Sequence, residues 1–219
     1  MATKKIYFIR HGETENNATN VRQGPEGGLS DIGRNQAESV ALRLSEFPIE
    51  AIISSPYERA SETAQIIAKS LNLVVEYSVL LKERRNPPEV KGKSKEDPEV
   101  KRIMEIIDRN LHSRYYRYSD EENFDDLAKR AEKLLEYIEQ RPEEYIILVT
   151  HGIFLKMLIS YMLYRDNLRV EDYEKLNYDN KVNNTSITYC EYNSEEKNTP
   201  TKGWKLVIWD DHHHLTEEK

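Results

Sequence analysis

The chain has one cysteine, Cys190, among 219 residues. A single thiol closes no internal disulfide and supports no cysteine-based zinc finger. Long apolar runs are also missing. The longest fall far short of the roughly 20 residues that a membrane-spanning helix needs. The first residues pass directly into a strand-like run, with no apolar signal-peptide core before it. An excess of positive charge is absent too: 32 Lys and Arg stand against 39 Asp and Glu, a formal net charge of -7. That balance argues against general binding to nucleic acid or to a membrane surface, and leaves room for a local basic pocket. The expectation is a soluble, cytoplasmic protein.

What is present is a polar but strongly patterned chain. Charged residues make up 32% and hydrophobic residues 38%, with a mean hydropathy of -0.78. The apolar residues fall in periodic runs, which excludes disorder. Continuous runs of β-formers predict buried strands at 4–10, 51–53, 73–75 and 145–150. Two later strands, 186–192 and 204–209, predict a hairpin. Helical spacing starts at Asp31, after Ser55-Pro56 with Ser55 as cap, after Asp97-Pro98, and over 127–138 and 154–163. Alternation of strand and helix predicts a three-layer α/β/α sandwich with a mostly parallel sheet. Residues 82–98 are rich in charge and proline and lead into the helix at Pro98. Residues 82–118 are therefore expected to form a lid insertion within a single domain spanning 1–219.

In open α/β sheets, ligands bind beyond the carboxyl ends of the strands. The residues found there are Arg10-His11-Gly12-Glu13-Thr14 with Asn17, Ser54-Ser55-Pro56 with Arg59, Glu83 with Arg84 and Arg85, and Thr150-His151-Gly152. Two histidines, two arginines and a carboxylate suit phosphoryl transfer: cations for the phosphate, a nucleophile and a proton donor. Glu89 and Glu13 are alternatives to Glu83 as the acid, and Asn16 is an alternative to Asn17. The basic run Arg84, Arg85, Lys91, Lys93 and Lys95 is either a solvated loop or an attractor for a second anionic group. His212-His213-His214 reads as an exposed tail, because adjacent side chains on a strand alternate in direction.

These motifs, with Leu81-Lys82-Glu83, Leu29-Ser30 and Asn184-Thr185-Ser186-Ile187, resemble the histidine phosphatase superfamily, the phosphoglycerate mutase-like family. The likeness covers nearly the whole chain in the family's order. It implies that His11 is the nucleophile and becomes a phosphohistidine. Its attacking nitrogen must be unprotonated, with the other ring N–H held by a carbonyl near Gly12. Arg10 and Arg59 are implied to clamp the phosphoryl oxygens. His151, as imidazolium, and Asn17 are implied to donate further hydrogen bonds, and the Gly152 backbone to allow close approach. Glu83 is implied to protonate the leaving alkoxide and then to activate water. No metal and no cofactor is implied. The expected partner is a small phosphorylated substrate, and the chain a monomer or a homodimer.

Mutases of the family continue after the acid with a Gly-x-Trp-Glu-Gly stretch. Here the sequence runs Glu83-Arg84-Arg85-Asn86-Pro87-Pro88, and both tryptophans come late, at 204 and 209. That departure favours hydrolysis of a small phosphomonoester. Phosphoglycerate mutase-type transfer, or a catalytically inactive relative that binds a phosphorylated ligand or a partner, are the alternatives.

Overall fold

A computed structural model describes residues 3–113 and 115–215. Its strands are β1 (Lys4–Arg10), β2 (Ala51–Ser54), β3 (Val75–Tyr77), β4 (Tyr145–Thr150), β5 (Ile187–Tyr192) and β6 (Trp204–Asp211). Its helices are α1 (Glu15–Ala18), α2 (Asp31–Leu44), α3 (Glu58–Leu71), α4 (Pro98–Arg109), α5 (Phe124–Gln140), α6 (Gly152–Tyr164) and α7 (Val170–Asp179). The strands form one mixed sheet in the order β3-β2-β4-β1-β5-β6. The first four run parallel, and β5 and β6 close the sheet as an antiparallel hairpin beside β1.

Strand periodicity divides the interior into two layers. On β1, Ile6 and Phe8 face one side and Tyr7 and Ile9 the other. Ile6 and Phe8 join Ile53, Ile146 and Leu148 in a core filled by α5 and α6. Tyr7 and Ile9 join Ile52, Ile147 and Val149 under α2 and α3. The central strands are covered on both faces, which is why they read as unbroken apolar runs. Helix α6 is apolar nearly all round, with Lys156 its one charged residue. Cys190 lies in the core, and burial pushes its thiol pKa up.

Helix ends follow local chemistry. Ser30 Oγ accepts the Gly33 N–H at 3.0 Å to start α2. Asp97 caps α4 through the Glu99 and Val100 N–H groups. Asn123 and Asp126 form a reciprocal capping box on α5. Asn72, with φ of 54°, ends α3 in the left-handed region that asparagine tolerates.

Several elements depart from the sequence expectation, the short α1 among them. The third strand is shifted to Val75–Tyr77. Helix α7 was not expected, although Val170, Tyr173 and Leu176 carry its spacing. Helix α3 begins at Glu58 behind Tyr57, with no side-chain cap, so Ser55 is not its cap. The Ser55 hydroxyl is engaged elsewhere, by the Tyr57 N–H and by His151.

Residues 82–118 hold α4 and a short 3-10 turn at Pro88–Val90. Val90, Val100, Ile103, Met104 and Ile107 form a small core of their own, with Tyr118 packed against it. The segment is clasped to the loop after α1 by backbone pairing: Val21 bridges Ser94, the Arg22 N–H donates to Lys93 O, and the Lys95 N–H donates to Asn20 O. Arg114 lies outside the described residues. Tyr115 is exposed.

Candidate active site

The carboxyl ends of β1, β2 and β4 lie side by side, which brings His11, Ser55 and His151 together. The ring centroids of His11 and His151 are 5.1 Å apart. Both rings are buried, at 3% and 0% exposure. A cavity of about 270 Å³ opens beside them, lined by Arg10, His11, Asn17, Arg59, Glu83 and Gly152 among others. Six of the seven residues expected at the site thus reach the cavity wall, and the seventh, His151, packs against the His11 ring.

His11 has a defined tautomer. Its Nδ1 lies 2.7 Å from Gly12 O, a carbonyl that only accepts, so Nδ1 carries the proton. Its Nε2 accepts a hydrogen bond from Arg59 Nε at 3.2 Å. Burial first, then the charges of Arg59 and Arg10, hold the ring well below the usual histidine pKa. The ring is therefore neutral at physiological pH, with its lone pair on Nε2 turned toward the guanidinium.

Arg59 itself is 4% exposed although it lies in the first turn of α3, where a cation opposes the helix dipole. Its Nη1 donates to Gly24 O at 2.8 Å. Arg10 Nη1 donates to Val182 O at 2.5 Å, while Arg10 Nε is buried with no partner in the protein. A Cβ on Gly152 would sit 3.5 Å from Arg10 Nε. The glycine keeps that side of the guanidinium uncovered.

His151 differs from the expectation. Ser55 Oγ accepts the Tyr57 N–H at 3.2 Å and lies 2.8 Å from His151 Nε2. A serine oxygen carries one proton and two lone pairs, so this contact is compatible with either neutral tautomer of His151. Nδ1 is buried and has no protein partner. Burial, followed by the Arg59 charge, holds this ring also well below the usual histidine range. The resting ring is therefore neutral, where the resemblance implied an imidazolium.

Glu83 follows a 3-10 turn at Val79–Leu81, past β3. Its oxygens accept N–H bonds from Phe154 at 2.9 Å, Ile153 at 3.2 Å and Arg84 at 2.8 Å. The first two belong to the opening turn of α6, so the carboxylate sits on that helix's N-terminus. The alternative acids lie elsewhere: Glu13 accepts the Ser30 hydroxyl, and Glu89 accepts the Ser119 hydroxyl at the surface. Asn17, not Asn16, lines the cavity. Asn184 Nδ2 donates to His11 O at 2.9 Å and to Asn17 Oδ1 at 3.4 Å. That second bond fixes the Asn17 amide with its own NH₂ as the free end.

Sequence reasoning missed Arg22, Lys156 and Lys181, which also line the cavity. Lys156 had a signal, as the lone charge of an apolar helix. Lys181 had none. The late histidines form no metal site: among the described residues no group of three or more His, Cys, Asp or Glu is placed to hold an ion. His212 and His213 are exposed, whereas His214 Nε2 lies 3.2 Å from Thr185 Oγ1.

An α/β sandwich carrying a paired histidine and arginine cradle at adjoining strand ends defines a class of phosphoryl-handling folds. The profile of the histidine phosphatase superfamily (branch 1) matches residues 6–204, and the chain belongs to that family. The probable phosphoglycerate mutase GpmB of Proteus mirabilis is 30% identical over 228 residues, covering 97% of this chain and 95% of that protein. The protein of the same name from Escherichia coli K12 is 28% identical over 217 residues, covering 96% and 94%. Among solved structures, a phosphoserine phosphatase mutant from Entamoeba histolytica in complex with phosphoserine superposes with a TM-score of 0.77 at 26% identity, covering 97% of this chain and all (100%) of that one. A mycobacterial glucosyl-3-phosphoglycerate phosphatase complexed with VO3 gives 0.77 at 22% identity, covering 95% and 99%, a likeness of fold.

Proposed function

We propose that this enzyme hydrolyses a small phosphomonoester through a phosphohistidine on His11. The observation that carries the reading is the His11 tautomer: a neutral ring, proton fixed on Nδ1 by Gly12 O, lone pair on Nε2 beside Arg59. The Nε2 lone pair attacks phosphorus as Arg59 turns its N–H to a phosphoryl oxygen. Arg10 Nε, the His151 ring and the Asn17 amide supply further donors for the charge spread over the equatorial oxygens. The P–O bond to the alcohol breaks, and the departing oxygen takes a proton from Glu83. Water then attacks the phosphohistidine and gives its proton to Glu83. The P–N bond breaks, phosphate leaves and His11 returns neutral. The side-chain cations supply the positive charge, so the reaction needs no metal.

The test is phosphate release from a panel of small esters at pH 5 to 8 with excess chelator, in wild type and His11→Ala. Release lost in the variant, together with an acid-labile phosphoenzyme in wild type, supports the reading. A loss in chelator that metal restores overturns the metal-independent form. Kinship with proteins named probable phosphoglycerate mutase favours a second reading, transfer back to substrate. Interconversion of monophosphoglycerates, without net phosphate release, would establish that instead.

A further inference from the structure

Glu83 sits on a stretch of chain with no secondary structure of its own. Residues 82–87 form neither helix nor strand. No ladder or helical hydrogen bonds fix this backbone, so its polar groups need partners elsewhere. A group that transfers a proton must still be held closely, because a misplacement of about 1 Å can cost about 10²-fold in rate.

The partners come from one side chain pair on the neighbouring helix. Arg130, on α5, donates through Nη1 to two carbonyls of the stretch, Leu80 O at 3.0 Å and Lys82 O at 2.6 Å. Lys82 O belongs to the peptide unit that leads into Glu83. The carbonyl between them, Leu81 O, accepts the Thr150 hydroxyl at 2.8 Å. The other edge of the guanidinium forms a fork on Glu122: Nε donates to Oε1 and Nη2 to Oε2, both at 2.8 Å. Glu122 Oε2 also accepts the Arg85 N–H at 2.9 Å, and the Glu122 N–H donates to Arg85 O at 3.0 Å. The backbone is thus tied on both sides of Glu83, before it by Arg130 and after it by Glu122. Residues 86–121 leave and re-enter the body of the protein at this clasp.

The Arg130 guanidinium also lies over the Phe154 ring, its carbon 3.9 Å from the centroid. Phe154 is the residue whose N–H donates to the Glu83 carboxylate. Arg130 therefore touches both the chain that carries the carboxylate and the residue that receives it. The Arg130 and Glu122 side chains are only 13% and 16% exposed. An ion pair so placed is weak evidence for stability by itself. Neither residue lines the cavity, so any effect on the reaction passes through Glu83.

We infer that Arg130 and Glu122 are positioning residues for the Glu83 carboxylate, holding its loop at both ends against the first turn of α6. This rests on the reading of Glu83 as proton donor given above and extends it to two residues that touch no substrate.

The test compares wild type, Arg130→Met and Arg130→Lys on propyl phosphate and on 4-nitrophenyl phosphate. Arg130→Met should lower kcat for propyl phosphate about tenfold to hundredfold with KM little changed. The stopped-flow burst of nitrophenol, a leaving group that needs no proton, should change far less. In a Glu83→Gln background Arg130→Met should cost nothing further, because residues that act as a unit are not additive. Arg130→Lys keeps the charge that bears on the His151 ring but lacks the planar fork. It should show the same split at smaller size, and it decides alone if Arg130→Met fails to fold. Equal losses for both esters, an unchanged kcat, or a full further loss in the Glu83→Gln background overturn the inference while leaving phosphatase activity in place. A wild type that releases phosphate from neither ester overturns the phosphatase reading instead. The Ile153 and Phe154 amide resonances then decide: in Arg130→Lys they should move toward their positions in Glu83→Ala, and unmoved resonances sink the positioning role without reference to turnover.

Discussion

Arg59 Nε donates to His11 Nε2 across 3.2 Å, so the guanidinium covers the lone pair that the proposed reaction uses. One side chain thereby does two things in turn. Before substrate enters, it holds the imidazole neutral and oriented. Once a phosphoryl group arrives, the same N–H has a better acceptor in an anionic oxygen, and the lone pair is uncovered.

Arg59→Met should therefore lower kcat/KM by about 10²- to 10³-fold, the scale of losing a transition-state donor. It should also raise the His11 pKa, because Arg59 is the largest charge that depresses it. Ring-nitrogen NMR titration reads this directly. An unmoved His11 pKa would show that burial alone keeps the ring neutral.

Stability should fall with acid. His11 and His151 have folded pKa values well below that of an unfolded histidine. Below about pH 6.5 the unfolded chain binds protons that the folded chain refuses, so stability present above that pH is lost as pH falls. The slope is up to about 1.4 kcal/mol per pH unit for each ring. Thermal melts between pH 7.5 and 5 should steepen accordingly, and the His11→Gln, His151→Gln double variant should show a flatter dependence. An identical slope would assign the acid sensitivity to other groups.

Glu83→Gln should separate substrates by leaving group. An alkyl ester needs a proton on its departing oxygen, and kcat should drop about 10²- to 10⁴-fold. An aryl ester with an acidic phenol leaves without help, so phosphoenzyme formation from 4-nitrophenyl phosphate should fall far less. A burst of nitrophenol measured by stopped flow isolates that step. Equal losses for both esters would place Glu83 in a structural role on α6, where Ile153 and Phe154 already donate to it.

Asn184 is a positioning residue rather than a contact to substrate. Its amide ties His11 O to Asn17 Oδ1. Asn184→Ala should cost about 1 kcal/mol of stability and lower kcat about tenfold, with Asn184→Asp no better because it keeps acceptors where donors are needed. If kcat is unchanged and only the melting temperature falls, the residue braces the fold alone.

Much of this site was legible before any coordinates. Arg10, His11, Arg59, Glu83 and His151 stand beside strand ends, and strand ends are the easiest features to read from apolar runs. The tautomers were less accessible. That of His11 follows from the next residue's carbonyl, whereas His151 Nε2 meets the Ser55 hydroxyl, 96 positions away, which can donate or accept. Ser55 also misled, because Ser-Pro ahead of an apolar helix has the pattern of a cap. Lys95, which lines the cavity, could not be told from its neighbours in the basic run, since only tertiary pairing reveals that Lys91 and Lys93 have carboxylate partners. Lys181 reaches the cavity from a stretch without periodicity, and nothing local marks it.

Gly12 and Gly33 touch backbone to backbone: a Cβ on Gly12 would stand 2.5 Å from Gly33 O, and one on Gly33 would strike the backbone of Glu13. The carbonyl that orients His11 thus belongs to a loop that takes its final shape only against the first turn of α2. During folding, the His11 ring cannot be set before that helix has docked. A chain with its sheet complete and α2 still detached would have secondary structure without activity. In a refolding time course, recovered turnover is then a clock for the docking of α2, and a methyl group at position 33 should delay it.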